Sequence, residues 1–162
     1  MSTRHSIAAL IQAFFLDFLV ARRGLSPNTL TAYRDGIKLL LNFTADQKHT
    51  PVDKLAVEDF DDRIVVEFLD HLQNERGNST RSRNTRLAPI HGLFRYIAGQ
   101  VPEGMARCQR ICAVPLKKTA HQCMEYLEDA EMRAMLNSID RDSRHGPRDH
   151  ALVLFMYNTG AR

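Results

Sequence analysis

Apolar residues recur at three- and four-residue steps along most of the chain, the spacing of helices that bury one face. The first such stripe spans residues 7–19, and Gly24 ends it. Ser26 and Pro27 then supply an N-cap and a first-turn proline for a second helix. The apolar positions of that helix are Leu30, Tyr33, Ile37, Leu40 and Leu41. Because the turn between the two stripes is short, these helices are predicted to be neighbours.

Two further helices complete the first hundred residues. A stripe over residues 63–75 predicts the third helix, and Gly77 is its stop. Ser79 and Thr80 can cap the fourth helix, and Pro89 inside its pattern predicts a kink or a later start. Its stripe consists of Leu87, Ile90, Phe94 and Ile97. Since no strand-like alternation competes, this region is predicted to be an all-α bundle of four or five helices.

The pattern changes after Pro102. Residues 108–124, which include Pro115, have no helical stripe and are predicted to be an inter-domain linker. Two short helices follow, and two short helices cannot close a core of their own. The sequence therefore predicts three parts: a helical domain over residues 1–107, the linker over 108–124, and part of an incomplete second domain over 125–162.

Composition is that of an ordinary folded protein, with 44% hydrophobic and 25% charged residues. The apolar runs are far shorter than the roughly 20 residues of a membrane span. Gln12 and Asp17 interrupt the N-terminal stripe, which is unlike a signal peptide. We therefore expect a cytoplasmic protein that does not enter a membrane. The cysteines Cys108, Cys112 and Cys123 lack the paired spacing of a zinc site, so reduced thiols, no metal and no cofactor are expected.

Charge is distributed unevenly, although the net charge is only +3. Residues 58–75 hold seven acids against the single base Arg63. Residues 76–123 hold nine bases, and only Glu103 opposes them. A basic stretch is often no more than a solvated face, but it is also the electrostatic signature of a surface that binds nucleic acid.

A helical projection of the fourth helix separates its basic face from its apolar stripe. Opposite the stripe lie Arg81, Asn84, Thr85, Ala88, Gly92 and Arg95. Arginine and asparagine side chains can bind phosphates and base edges, and small residues admit a close approach of the backbone to a groove. The alternative is that Ala88 and Gly92 simply accommodate a packed helix.

Four motifs occur in the order found in tyrosine recombinases. They are GLSPNTLTAYRDGIKLLLNF, NTRLAPIHGLFRYIA with the following PE, YLEDAEMRAML and RDHALVLFMYNTGAR. Together they cover nearly the whole chain, which resembles the phage integrase and XerC/XerD-like family. The resemblance implies a SAM-like core-binding bundle that clamps double-stranded DNA, a linker, and the first helices of an incomplete catalytic domain.

The resemblance also implies that the second and fourth helices of the bundle face the DNA. The candidate contacts are Thr29, Arg34 and Lys38 on the second helix, Arg81, Asn84, Thr85, Arg86 and Arg95 on the fourth, and Lys117 and Lys118 in the linker. Thr159, Gly160 and Arg162 match the T-G-x-R motif of the family, so Arg162 resembles its first catalytic arginine. A guanidinium can bind two nonbridging oxygens of a phosphodiester as charge develops on them.

The other catalytic residues of the family would lie C-terminal to Arg162: a hairpin lysine, an H-x-x-R pair, a further His or Trp, and a nucleophilic tyrosine. The chain is therefore expected to be truncated after its first catalytic arginine, to bind DNA, and to be inactive alone. None of the tyrosines Tyr33, Tyr96, Tyr126 and Tyr157 is assigned as the nucleophile. The family commonly has Thr where Glu128 stands, with Asp129 as a possible substitute helix cap.

A full-length relative would assemble as a tetramer on DNA, whereas this chain is expected to be a monomer. Two other functions stay open on the residues alone. One is a helical DNA-binding regulator without catalytic ancestry. The other is a protein-interaction module whose basic face meets an acidic partner.

Overall fold

The computed structural model describes residues 5–119 and 127–160, in two units divided between Thr119 and Ala120. The first unit contains α1 (Ile7–Ala13), which continues as a π-helical segment (Phe14–Arg22), α2 (Pro27–Lys48), α3 (Asp62–Asn74), α4 (Thr80–Gln100) and α5 (Met105–Cys112). Short 3₁₀ turns lie at Val52–Lys54, Val57–Asp59 and Pro102–Gly104. The second unit contains α6 (Asp129–Ser138) and α7 (Gly146–Thr159). Over the described ranges there is no strand, and the predicted all-α class is confirmed.

The helices begin at the capping residues that the sequence supplies. Ser26 Oγ accepts the backbone N–H of Thr29 at 3.3 Å at the start of α2. Ser79 Oγ accepts the N–H of Ser82 at 3.2 Å at the start of α4. Each bond satisfies a donor that the first turn of a helix would leave unpaired. α4 then runs through Pro89 to Gln100, so a start later than the cap is wrong.

The core of the first unit lies where α2, α3, α4 and α5 meet. Phe60 and Phe94 are fully buried, with ring centroids 5.7 Å apart. α1 and its π-helical continuation pack on this core through Phe14. The Phe14 ring stacks on the Tyr33 ring of α2, with ring centroids 6.3 Å apart. All four stripe positions predicted for α4 are buried, and each contributes roughly 1.5–3 kcal/mol to stability.

α2 and α4 approach each other closely at two glycines. A Cβ placed on Gly36 would lie 2.8 Å from Cγ of Pro89. A Cβ placed on Gly92 would lie 3.2 Å from Cε1 of Tyr33. A proline inside a helix removes one backbone donor, but here its ring fills the space that Gly36 leaves open. The two glycines therefore set the distance between these helices.

A fifth helix, α5, occupies part of the predicted linker. Cys108 and Ile111 are fully buried one turn apart, and Val114 is 6% exposed. The predicted boundary between residues 107 and 108 falls inside this helix, so the irregular linker does not begin at Cys108. A stripe of only three positions, one of them a cysteine, is too short to distinguish a helix from a loop. Burial raises the pKa of the Cys108 thiol to about 11, which keeps the thiol protonated.

His91 is partly buried on α4 next to α5. Cys112 Sγ donates to the His91 carbonyl at 3.7 Å. Burial lowers the pKa of the His91 imidazole, and the guanidinium of Arg95 lowers it further. The backbone groups of Ile111 and Val114 oppose this shift without reversing it. The imidazole is therefore neutral at neutral pH.

The second unit consists of α6 and α7 with the turn between them. Glu128 is the N-cap residue of α6, and its N–H donates to the Glu131 carboxylate at 2.9 Å. Asp129 is not the cap; it accepts the Tyr157 hydroxyl at 2.8 Å and so links α6 to α7. Gly160, with φ of 63°, ends α7 in the left-handed conformation that favours glycine. None of the described helices is both long and apolar enough to cross a membrane.

Replacing Gly36 with alanine should destabilise the first unit by about 1–3 kcal/mol, because the new methyl group would overlap the rigid Pro89 ring. Gly99→Ala on the same helix as Pro89 is the matched control, since nothing lies within 4 Å of its Cβ position. That control should be neutral or stabilising by up to about 1 kcal/mol. Urea unfolding followed by circular dichroism measures both. Equal effects of the two substitutions would contradict the packing described.

The stability of the first unit should fall as pH drops below 6.5, the ordinary pKa of histidine. The folded His91 has a lower pKa than the unfolded one, so protons bind the unfolded chain preferentially in that range. The stabilising contribution of neutral His91 is fully present above pH 6.5 and is lost as the pH falls towards the lower pKa of the folded state. Urea unfolding at several pH values should show that the free energy of unfolding depends less on pH in His91→Gln than in the wild-type chain. The control His145→Gln, at an exposed position of the second unit, should keep the original dependence.

Candidate nucleic-acid interface

A groove of about 430 Å³ lies between the N-terminal halves of α2 and α4. It is lined by Asn28, Thr31, Ala32 and Asp35 of α2 and by Arg81, Ser82, Thr85 and Arg86 of α4. We call it the α2/α4 groove. The structure thus brings together three of the predicted contact residues: Arg81, Thr85 and Arg86. Sequence reasoning missed Asn28 and Thr31, although their three-residue spacing puts them on one face of α2.

The arginines of the groove are not neutralised by neighbouring acids. Arg81 is exposed and Arg86 is partly buried. Within residues 5–119, neither forms an ion pair with a carboxylate. Among the described residues that line the groove, Asp35 is the one acid, and its Oδ1 lies 3.5 Å from Nε of Arg34. Two guanidinium groups at the edge of a groove can each bind a phosphate through two parallel hydrogen bonds.

The predicted contact residues of α2 lie beside the groove rather than in it. Thr29 Oγ1 is 2.9 Å from Ser26 Oγ, so its hydroxyl takes part in the helix cap. Arg34 and Lys38 are exposed one helical turn apart. Arg34 also lines a separate pocket of about 340 Å³ with Ile11, Phe15, Leu30 and Thr31. These two cations extend the positive charge along α2 beyond the groove.

The two small residues of the predicted α4 face have different environments. Ala88 is exposed, as it must be if the backbone of α4 is to approach a DNA groove closely at this position. Gly92 faces Tyr33 and Phe14, both close enough to contact a Cβ. Of the two alternatives left open by the sequence, the packing explanation therefore holds for Gly92. Arg95 is exposed further along α4, next to His91.

Part of the basic stretch is neutralised by the acidic stretch. Two ion pairs join Arg110 Nε to Asp62 Oδ1 at 3.2 Å and Lys117 Nζ to Asp70 Oδ1 at 3.8 Å. Arg107 donates to the backbone carbonyl of Glu58, a contact that orients the guanidinium without neutralising it. Arg83 is only 4% exposed, because it continues the apolar stripe of α4 one turn before Leu87. The surface that stays basic is therefore smaller than the sequence predicts. The predicted contact residues without a carboxylate partner among the described residues are Lys38, Arg81, Arg86, Arg95 and Lys118, whereas Arg34 lies 3.5 Å from Asp35.

The side-chain amide of Asn84 is hydrogen-bonded to the backbone of Lys117 through both its nitrogen and its oxygen. Its Nδ2 donates to the Lys117 carbonyl at 2.8 Å, and its Oδ1 accepts the Lys117 N–H at 3.1 Å. The Lys117 ammonium donates to Gln73 Oε1 at 2.7 Å on α3. Lys118 is exposed next to it. Asn84 and Lys117, both predicted DNA contacts, are thus bound to each other and to the bundle.

The predicted catalytic arginine, Arg162, lies outside the described residues. The first two residues of its motif are described: Thr159 Oγ1 donates to the Phe155 carbonyl at 2.7 Å, and Gly160 ends α7. Cys123, a predicted free thiol, also lies outside the described residues. Among those that are described, no group of three or more His, Cys, Asp or Glu side chains is arranged to hold a metal ion.

Residues 12–100 match the family model described as phage integrase, N-terminal SAM-like domain. The chain is 41% identical to the integrase/recombinase y4rC of Sinorhizobium fredii over 161 residues, which cover 99% of this chain and 48% of that protein. It is 31% identical to y4rD of the same organism over 162 residues, covering 100% and 58%. It is 28% identical to the tyrosine recombinase XerD of Listeria innocua over 148 residues, covering 91% and 47%.

The chain spans about half the length of these curated relatives. No solved structure matches it. The region matched by the family model includes the whole α2/α4 groove, whose lining residues fall between positions 28 and 86.

Proposed function

Because this chain belongs to the tyrosine recombinase family through its phage integrase N-terminal domain, we propose that its first unit binds duplex DNA along the α2/α4 groove. The observation that carries the proposal is the pair Arg81 and Arg86. Among the described residues neither has a carboxylate partner, whereas Arg110 and Lys117 of the same stretch are paired and Arg83 is buried. Arg34, Lys38, Arg95 and Lys118 would extend the interface to neighbouring phosphates.

The chemistry of the groove favours the DNA backbone over the bases as the main ligand. Guanidinium groups bind phosphates through charge-assisted hydrogen bonds, which orient a protein on the duplex without reading its sequence. The groove also holds Asn28, Thr31 and Thr85, whose short polar side chains suit phosphate or sugar oxygens. Binding of this kind releases condensed counterions, so its strength depends on salt.

In a longer recombinase, this unit would hold DNA for strand exchange through a covalent 3′-phosphotyrosyl intermediate. Arg162 would be the first catalytic arginine, binding nonbridging oxygens of the attacked phosphodiester. What supports this role is the match of Thr159, Gly160 and Arg162 to T-G-x-R, in which Gly160 is also the residue that ends α7. The core-binding part would extend to residue 119, because α5 and the residues after it pack on the bundle.

The proposal has further parts that concern assembly and location. The longer recombinase would act as a tetramer on its DNA site, and this chain alone would be a monomer in the cytoplasm. Its partner would be double-stranded DNA, with no cofactor. Sedimentation of the chain with and without a duplex measures the number of copies bound.

Affinity for duplex DNA should fall steeply between about 50 and 200 mM salt, with a log–log slope near −0.9 for each phosphate neutralised. Replacing Arg81 and Arg86 together with alanine should flatten the slope by about 0.9 for each phosphate that is no longer neutralised. The matched control is Arg63→Ala with Arg76→Ala. It removes the same charge from the acidic side of the bundle, where Arg63 pairs with Glu67. Fluorescence anisotropy with a labelled duplex measures all three proteins.

Salt-independent binding would contradict the proposed phosphate contacts, and so would equal slopes for the two double variants. Binding to an acidic protein but not to DNA would favour the protein-interaction alternative.

The chain should form no covalent adduct with a nicked suicide duplex. Tyr157 is a poor nucleophile because its hydrogen bond to the Asp129 carboxylate raises its pKa and disfavours the phenolate. Tyr33 packs against Phe14 and Gly92, and Tyr96 packs against Phe14. A denaturing gel detects any adduct. An adduct that disappears in Tyr157→Phe, but persists in Tyr96→Phe, would identify Tyr157 as a nucleophile and overturn this expectation.

A further inference from the structure

The residues after α5 do not leave the bundle at once. Ala113 caps α5, Val114 is 6% exposed, and residues 113–119 belong to the first unit. We call residues 113–119 the exit segment. Its backbone is in contact with α4, and one of its side chains is in contact with α3, more than 30 residues away along the chain in both cases.

The contact with α4 is made by a single side-chain amide. Asn84 donates to the carbonyl of Lys117 at 2.8 Å and accepts the N–H of the same residue at 3.1 Å. An asparagine amide carries a donor and an acceptor in one plane, so it can satisfy both backbone groups of one residue as a neighbouring strand would. Aspartate lacks the donor, and alanine lacks both groups.

The contact with α3 holds the side chain of the same residue. The Lys117 ammonium donates to Gln73 Oε1 at 2.7 Å and lies 3.8 Å from Asp70 Oδ1. Backbone and side chain of Lys117 are therefore fixed from two different helices. Fixing one residue at three points removes most of the freedom that a segment without regular secondary structure would have.

We infer that Asn84 is a positioning residue that anchors the exit segment, with Gln73 and Asp70 as its supports, and is not a DNA contact. The anchor defines the point at which the chain leaves the bundle. Its value for DNA binding rests on the proposed function: a connection with a fixed origin keeps whatever follows it at a higher effective concentration near the bound DNA.

Trypsin can report the anchor directly, because Lys117 and Lys118 are the only lysines or arginines between Arg110 and Arg133. In the full 162-residue chain without DNA, Asn84→Ala should raise the rate of cleavage after these lysines about tenfold, since two hydrogen bonds are removed and cleavage follows the open population. Hydrogen exchange should rise in residues 113–119 and stay unchanged in α3 and the rest of α4.

Two further variants sharpen the test. Asn84→Asp keeps the acceptor for the Lys117 N–H and should give an intermediate cleavage rate. Thr85→Ala is the matched control: Thr85 is the next residue of α4, and its hydroxyl donates to the Arg81 carbonyl within the helix. It should leave cleavage unchanged. If Asn84→Ala does not fold, Asn84→Asp against Thr85→Ala decides the question.

Asn84→Ala is then measured for duplex affinity at several salt concentrations. Asn84 is uncharged, so Asn84→Ala should keep the salt slope of the wild-type chain in either case, whereas loss of a direct DNA contact would lower the affinity at every salt concentration without any change in cleavage. That second result would overturn the inference, as would unchanged cleavage and exchange in Asn84→Ala. Exchange raised throughout the bundle would also overturn it, by assigning Asn84 a general role in stability. The readouts without DNA stand even if no variant binds a duplex, so failure of the anchor and failure of the proposed function are distinguishable.

Discussion

The close approach of α2 and α4 is the constraint on which the rest of the first unit depends. Gly36 leaves room for the Pro89 ring, and Gly92 leaves room for Tyr33. With a side chain at either glycine, the two helices would separate or shift. The groove between their N-terminal halves, where Arg81 and Arg86 lie across from α2, therefore depends on this packing. The same residues thus hold the core together and position the candidate interface.

The second determinant is the way in which the bundle distributes its charges. Asp62 and Asp70 of α3 pair with Arg110 and Lys117, which follow α4 in the chain. These exposed pairs are worth little to stability, typically about 0–1 kcal/mol each. Their larger effect is on the surface, because they neutralise bases on one side of the bundle, whereas Arg81 and Arg86 of the α2/α4 groove form no ion pair within residues 5–119. A weakly charged protein can in this way present one distinctly basic face.

The sequence predicted the helices well where stripes were long and caps were explicit. α2, α3 and α4 follow their stripes closely, since helical hydrogen bonds and capping are local and a period of 3.6 is visible over three or more turns. α5 was missed because its stripe is short. The candidate site was predicted in part: Arg81, Thr85 and Arg86 share the groove, while Asn84 and Lys117 contact each other. Pairings between residues 33 positions apart leave no periodic signal.

The sequence by itself determined the all-α class, the places where the main helices begin, the family resemblance and the separation of acidic from basic stretches. Each of these depends on neighbouring residues or on order along the chain. Only the tertiary structure decided which cations stay free, why Gly92 is small, and what Asn84 binds. A sequence gives the charge and hydrogen-bonding capacity of a side chain, but its available partners depend on how distant helices pack, and packing at Gly36 and Pro89 fixed them here.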